Sequence, residues 1–274
     1  MSLAEASILM AVYLGDDADY LRVALKSLVG QTILANEVVL VADGPLSSAL
    51  DQAIDEFHSL LPLKVIRLDR NRGLAYALNQ GLGAVKNELV IRMDADDISV
   101  AGRVEKLVSH MVSHPDLAAC SSAIREFGGD GRTLGVRRLP RTHEELVRFA
   151  KMRSPLNHAA AIFRRSAVLK VGGYPLFRRS QDVALWSRLI VAGYKLGNID
   201  DVLYLVRGGD GMARRRGFSH FLDERRVLKF QRDLNFISLF QYLRNVALRF
   251  FVAVFSRWFI ARRYQVAALL DRIR

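Results

Sequence analysis

Two acidic features stand where an α/β protein could build chemistry. Asp94-Ala95-Asp96-Asp97 follows the apolar run Leu89 to Met93, and Asp43 follows the run Glu37 to Ala42 within V-A-D-G-P. Both runs have the continuous aliphatic character of strands buried on two faces, and open α/β sheets bind ligands beyond the carboxyl ends of their strands. Carboxylates one residue apart at such an exit can divide the work. One faces a bound nucleotide and the other a hard divalent cation, which takes oxygen ligands and keeps phosphate oxygens and water in its shell. Such an ion would neutralise a departing diphosphate. The same four residues also suit a solvated turn that caps the next helix, since aspartate is favoured at N-caps. What favours the ligand reading is company: Asp43, Arg70-Asn71-Arg72-Gly73 and Asp94 to Asp97 all fall on one edge of one expected sheet.

The elements that must hold these residues follow from periodicity. Ile8 to Tyr13 reads as a first strand, Tyr20, Leu21, Ala24, Leu25 and Leu28 recur at helical spacing before Gly30, and Glu37 to Ala42 reads as the second strand. Further helices are expected over Leu46 to Leu61 and Leu74 to Val85, with strands at Leu63 to Leu68 and Leu89 to Met93. Strands alternating with helices predict a mostly parallel Rossmann-like sheet flanked by helices. After Asp97 the regularity changes to an amphipathic helix (Val104, Leu107, Met111), a strand from Leu117 to Ile124, a hairpin turn at Gly128 to Gly131 and an apolar strand from Ala159 to Phe163. From Phe218 the chain reads as helix to its end.

Bulk properties set the outer limits. A chain of 274 residues with 51% hydrophobic content can bury one sizeable α/β core with an appendage. The net charge of +12 calls for an anionic partner: nucleic acid, an anionic bilayer or a phosphorylated substrate. Cys120 is the lone cysteine, which excludes an internal disulfide and fits a reducing compartment. Met1 to Ser7 has no basic leader region, and Phe250 to Ile260, interrupted by Arg257, falls short of a membrane span, so neither a signal peptide nor a transmembrane helix is expected. Phe218 to Arg274 carries eleven basic against four acidic residues, over half the excess charge. Leu239, Leu243, Val246, Phe250, Val254 and Trp258 form a stripe among its arginines, the pattern of a helix lying in an anionic membrane interface. The alternatives are that the stripe packs on the rest of the chain or forms a homodimer. Nucleic acid is disfavoured as the partner, because aliphatics interleave the tail's charges and no nucleic-acid motif is present.

The residues resemble family 2 glycosyltransferases of the GT-A fold. S-I-L-M-A-V-Y at the first strand, V-L-V-A-D-G at the second, R-N-R-G-L-A-Y-A-L-N-Q-G-L before the fourth and R-M-D-A-D-D at its end match in order and spacing. S-P-L-N-H (Ser154 to His158), V-G-G-Y (Val171 to Tyr174), Q-D-V-A-L-W (Gln181 to Trp186) and V-R-G-G-D-G-M-A-R-R-R-G (Val206 to Gly217) look like the bacterial branch that builds O-antigen, capsule and exopolysaccharide. The resemblance implies a catalytic domain over residues 1–217, with a nucleotide-sugar half at 1–99 and an acceptor half at 100–217, followed by a basic helical tail at 218–274. It implies an inverting hexosyl transfer from a UDP-sugar to a polyprenyl diphosphate-linked saccharide, on the cytoplasmic face of the inner membrane.

Carried over by position, the resemblance places Ala11, Tyr13 and Asp43 around the uridine, Arg72 and Gly73 along the nucleotide pocket, Asp94 on the ribose and Asp96 on the metal, Mn²⁺ or Mg²⁺. Asp182 aligns with the catalytic aspartate, and its place before an apolar helical stretch puts its carboxylate at a helix N-terminus, where the dipole favours the ionised form a base needs. An N-cap without catalytic part is the bland reading of that position. Gln181 replaces the usual preceding glutamate and Ala11 the usual first-strand proline. His158 is open to a donor-phosphate or metal-proximal role or to a structural hydrogen bond. Arg214 and Arg215, with Arg216, follow a glycine-rich turn as candidates for a lid over the diphosphate. Two rivals stay open: a nucleotidyltransferase, although Tyr13 to Asp17 lacks a glycine-rich loop with lysine, and a nucleotide-sugar binder without transfer.

Overall fold

The computed structural model describes residues 3–208 and 218–270, with side chains for 5–208 and 218–254. The chain divides into two compact units, Met1–Gly208 and Gly209–Arg274.

The first unit is built on a nine-stranded mixed sheet. Strands β1 (Leu3–Val12), β2 (Leu34–Ala42), β3 (Leu63–Arg67) and β4 (Leu89–Met93) are all parallel in the order β3-β2-β1-β4. They alternate with α1 (Ala18–Val29), α2 (Ser48–Asp55) and α3 (Leu74–Ala84). Alternation along β1 explains why its apolar run is unbroken: Ile8, Met10 and Val12 enter one core while Leu9 enters the other, and β2 splits Val38 and Leu40 from Val39 and Val41 in the same way. α1 and α2 cover the first face, and α3 covers the second.

Beyond β4 the sheet changes hand of pairing. A two-residue strand, β5 (Ile98–Ser99), is followed by α4 (Arg103–Ser113), a long β6 (Leu117–Phe127) and β7 (Thr133–Arg137), which folds back on β6 as the expected hairpin. Next come α5 (His143–Ala150), β8 (Ala161–Arg164), α6 (Arg165–Lys170), α7 (Gln181–Val191) and β9 (Lys195–Arg207). β8 runs antiparallel between β4 and β6, whereas β9 runs parallel to β6 and antiparallel to β5.

Three expectations shift. α2 is shorter than Leu46 to Leu61; Ser47 caps it through Leu50 N–H at 3.3 Å, and it ends at Asp55. The expected strand Ala159 to Phe163 divides into a short 3₁₀ turn, His158–Ala160, and then β8. Its start is pinned because Asn157 N–H donates to Ser121 Oγ at 3.0 Å and its side-chain amide to Ser122 O at 2.9 Å. β9 was not legible at all: Gly197, Asn198, Asp200 and Asp201 interrupt its apolar pattern, and pairing along β6 supplies what propensity does not.

The second unit holds α8 (Phe218–Asp233) and α9 (Leu239–Leu270), with no strand among its described residues. The two helices meet through Phe221 edge-on to Phe250, with ring centroids 5.5 Å apart, and through Arg249 and Glu224 at 3.6 Å. Leu239, Phe240, Leu243, Phe251 and Val252 stay exposed on α9. Among the described residues no helix is long and apolar enough to cross a membrane.

Candidate active site

The acidic turn at the end of β4 is anchored from below by two arginines with no solvent exposure. Arg92, the one charged residue within β4, pairs through its guanidinium with Asp94 and with the carbonyl of Met93. Arg103 donates to Arg92 O at 2.6 Å and Ala159 O at 3.0 Å and lies 4.4 Å from the Tyr204 ring centre. Burial lowers the Arg103 guanidinium to about 10. Buried guanidiniums are tolerated only when paired and hydrogen-bonded, so these contacts also fix where Asp94 stands.

From β9, Tyr204 and Arg207 close the turn from the other side. Asp94 N–H donates to the Tyr204 hydroxyl at 2.9 Å. Arg207 N–H donates to Asp97 at 2.8 Å, and the Arg207 guanidinium reaches Asp96 O at 3.1 Å while stacking 3.9 Å from the Tyr20 ring. Asp97 is almost fully buried, and desolvation followed by the charge of Asp94 pushes its carboxyl far above the usual range. Asp96 reaches solvent but is also raised, by desolvation and then by Asp94. Asp16, which accepts Tyr13 N–H at 2.9 Å just past β1, is raised to about 6 by burial and by Asp96 and Asp94. Carboxylates that raise one another's pKa form a site short of positive charge. Among the described residues no three His, Cys, Asp or Glu side chains make a ready cage for a metal. The donor set therefore suits an ion held by one or two carboxylates, with the rest of its shell from phosphates and water.

At the exit of β2, Asp43 is buried and each of its oxygens accepts a backbone amide: Arg72 N–H at 2.7 Å and Gly73 N–H at 2.9 Å. Gly44 permits this approach. Its φ is +94°, and a Cβ there would stand 2.6 Å from Asn71 N, so any other residue would push the 70–73 loop away. Gly73, at φ +89°, turns the chain into α3. Arg72 lays its guanidinium 3.9 Å from the Tyr76 ring centre and donates to the Tyr76 hydroxyl at 2.7 Å. Ala11 is half-buried near the end of β1, and Tyr13 is exposed just beyond it. None of Ala11, Tyr13, Asp43, Arg72, Gly73 or Asp96 lines the cavity described next.

That cavity, of about 530 Å³, is where the two halves of the unit bring their acids together. Asp94 and Asp97 line it with Ser154, Asn157, His158 and Asp182. Asp182 is in the first turn of α7, preceded by Ser180 in a left-handed conformation at φ 56°, and Asp182 Oδ2 accepts the Ser154 hydroxyl at 2.9 Å. His158 Nε2 lies 3.0 Å from the Tyr174 hydroxyl, with Tyr174 and Trp186 edge-on at 5.4 and 6.2 Å. Desolvation, followed by the charge of Arg92, lowers His158 to about 4, so the imidazole is neutral at physiological pH. Arg214 and Arg215 lie outside the described residues.

Against known proteins, the family model "Glycosyl transferase family 2" matches residues 7–172, which include every residue built into the acidic turn from β4 and every contact of Asp43. The chain belongs to that family. This glycosyltransferase is 37% identical over 219 residues to the amylovoran biosynthesis glycosyltransferase AmsE of Erwinia amylovora, covering 80% of this chain and 82% of that one. It is 33% identical over 247 residues to a UDP-Gal:alpha-D-GlcNAc-diphosphoundecaprenol beta-1,3-galactosyltransferase of Escherichia coli, covering 90% of each. Among solved structures it resembles S. aureus TarS 1-349, with a TM-score of 0.66 at 18% identity over 93% of this chain and 72% of that one. It also resembles a Pyrobaculum calidifontis mannosyltransferase in complex with GDP-Man and Mn²⁺, with a TM-score of 0.63 at 17% identity over 96% and 80%. These likenesses establish the GT-A fold.

Several residues that shape the site were not singled out from sequence. Arg92 had a visible signal, a lone charge inside an apolar strand. Ser154 lay within S-P-L-N-H without an assigned partner. Arg207 lay within V-R-G-G without an assigned partner, and Tyr204 had no signal, since both reach the turn from a strand 110 residues downstream.

Proposed function

We propose that this glycosyltransferase moves a sugar from a UDP-sugar to a polyprenyl diphosphate-linked saccharide, with inversion, during assembly of a bacterial surface polysaccharide. The observation that carries the reading is the single cavity lined by both Asp94, from the donor edge of the sheet, and Asp182, from the first turn of α7. The donor and acceptor classes are supported by the Escherichia coli relative, whose name states a UDP-sugar donor and a diphosphoundecaprenol-linked acceptor.

In this reading Asp182 takes the proton from the acceptor hydroxyl as that oxygen bonds to the anomeric carbon and the bond from that carbon to the diphosphate breaks. The Ser154 hydroxyl, 2.9 Å from Oδ2, orients the carboxylate. Asp94, held by Arg92, meets the ribose. Asp43 shapes the nucleoside pocket with Ala11, Tyr13, Arg72 and Gly73; its oxygens retain lone pairs beyond those used by the two loop amides. Asp96 would hold Mn²⁺ or Mg²⁺, and a bound ion would offset the charge that builds on the leaving diphosphate. His158, neutral and hydrogen-bonded to Tyr174, belongs to the frame of the cavity. Arg214 and Arg215 are assigned to a lid over the diphosphate, and the basic tail to docking on the inner face of the cytoplasmic membrane, with self-association of the tail as the competing outcome.

The test is incubation with a panel of UDP-, GDP- and dTDP-sugars and manganese, scored by release of the nucleoside diphosphate and by thermal stabilisation. Selective stabilisation and turnover with a UDP-sugar are expected. Binding without release under any acceptor would replace the reading with a nucleotide-sugar binder, and stabilisation by GDP- or dTDP-sugars alone would overturn the donor class.

A further inference from the structure

The cavity that holds Asp94 and Asp182 has a wall the transfer chemistry does not use. Arg137 and Arg138, at the end of β7, and Arg153, just after α5, also line it. Arg137 is 3.4 Å from Glu126 on β6. Arg138 and Arg153 have no ion-pair or side-chain hydrogen-bond partner among the described residues, although Asp19, Asp51, Glu56, Glu126, Asp130 and Asp200 pair with other arginines of this unit. An unpaired arginine pair lining a cavity beside catalytic carboxylates is a place for an anion, since guanidinium forks match phosphate oxygens two at a time.

Position narrows the anion. Arg153 is the neighbour of Ser154, whose hydroxyl touches Asp182, so the basic wall shares the cavity with the proposed base, whereas Asp43, Arg72, Gly73 and Asp96, to which the nucleoside and the metal are assigned, do not line it. An anion there sits on the side of Asp182, where the acceptor is assigned. A sugar whose hydroxyl meets Asp182 and whose anomeric carbon carries a diphosphate would set that diphosphate one sugar ring away from the base. The surroundings of the arginines are apolar: Leu139 and Phe149 line the same cavity, and Leu134, Val136 and Met152, beside the arginines in sequence, are exposed large apolar side chains. Charge next to uncovered apolar surface suits a diphosphate that continues into a lipid chain.

Resting on the acceptor class put forward above, we propose that Arg138 and Arg153 bind the diphosphate of the acceptor, so that the enzyme selects acceptors in which the reacting sugar is attached directly to a lipid diphosphate.

The experiment uses the full chain and two synthetic acceptors, decyl diphospho-α-N-acetylglucosamine and decyl α-N-acetylglucosaminide, with direct binding measured for each and UDP binding in manganese as the control. The wild type is expected to bind the diphosphate probe about 30-fold or more tighter than the neutral glycoside, the factor that two exposed charged contacts of about 1 kcal/mol each supply. Arg138→Gln with Arg153→Gln is expected to erase most of that preference while UDP affinity stays within about twofold, and Arg138→Lys with Arg153→Lys to retain part of it. A double Gln variant that keeps the full preference, or a wild type that binds both probes alike, overturns the proposal. Loss of UDP binding by the wild type would instead bring down the donor assignment and leave the probe preference to be read by itself. Because both arginines are exposed, the variants keep the fold, which equal melting temperatures verify.

Discussion

Replacing Asp43 by asparagine removes the charge that two backbone amides share, and the consequence can be worked out from the contacts. Each carboxylate oxygen accepts one amide, from Arg72 at 2.7 Å and Gly73 at 2.9 Å, in a buried setting. Hydrogen bonds to a charged group are each worth about 1.5–3 kcal/mol. Asparagine keeps one acceptor oxygen, but its NH₂ group then faces an amide donor, so one bond is lost and a buried N–H is left unpaired. The net effect is about 2 kcal/mol. Spread over a domain of this size, that lowers the melting temperature by about 4–8 °C. If the loop opens locally instead, the same free energy appears as nucleotide affinity weakened about 10- to 30-fold, because binding must first restore the loop. Thermal unfolding and calorimetric titration with UDP and manganese, run on the same preparation, separate the two. A variant whose melting temperature stays within about 1 °C and whose UDP affinity stays within about twofold would refute the view that Asp43 builds the nucleotide edge through the 70–73 loop.

Other consequences are equally direct. Asp182→Asn should cut turnover by about 10²- to 10⁴-fold, the usual worth of a positioned base, with UDP affinity unchanged; turnover near that of the wild type removes the base assignment. Asp96→Ala should abolish the manganese dependence of donor binding, and titrations with and without manganese that still differ as in the wild type would sink the ligand role. His158 is held near 4, below its ordinary 6.5, so between those values the unfolded chain binds the proton first and stability falls as pH is lowered. Up to about 3 kcal/mol is at stake across that window, and His158→Gln should flatten the pH dependence of denaturant midpoints. A chain truncated at about residue 235 should lose flotation with anionic liposomes, whereas retained flotation would free the tail of that role.

Much of this site was readable from the chain itself, because its first half is built from local signals. Continuous aliphatic runs marked β1, β2 and β4, and the acids that follow β2 and β4 had to emerge together at the carboxyl edge of a parallel sheet. Gly73 stands in its motif for a local reason, a positive φ, whereas Gly44 adds to its positive φ a close approach to Asn71 that only the fold creates. Sequence alone therefore puts Asp94 to Asp97 and Asp43 on one edge.

Only the tertiary structure decided what each of those acids can do. Asp43 could have faced a ligand alone; its partners turned out to be the amides of a loop about 30 residues away. Asp97 and Asp96 sit side by side in the chain, yet one is sealed beneath Tyr204 and Arg207 and the other opens to solvent. That difference is set by β9, whose interrupted apolar pattern gave no local sign of a strand and whose place was fixed by pairing along β6. Asp182 shares a cavity with Asp94, and two unpaired arginines line the same walls, through packing of elements far apart in sequence. Spacing along a chain determines which residues leave a strand together, but burial, charge compensation and pKa depend on distant neighbours that only the folded sheet brings into contact.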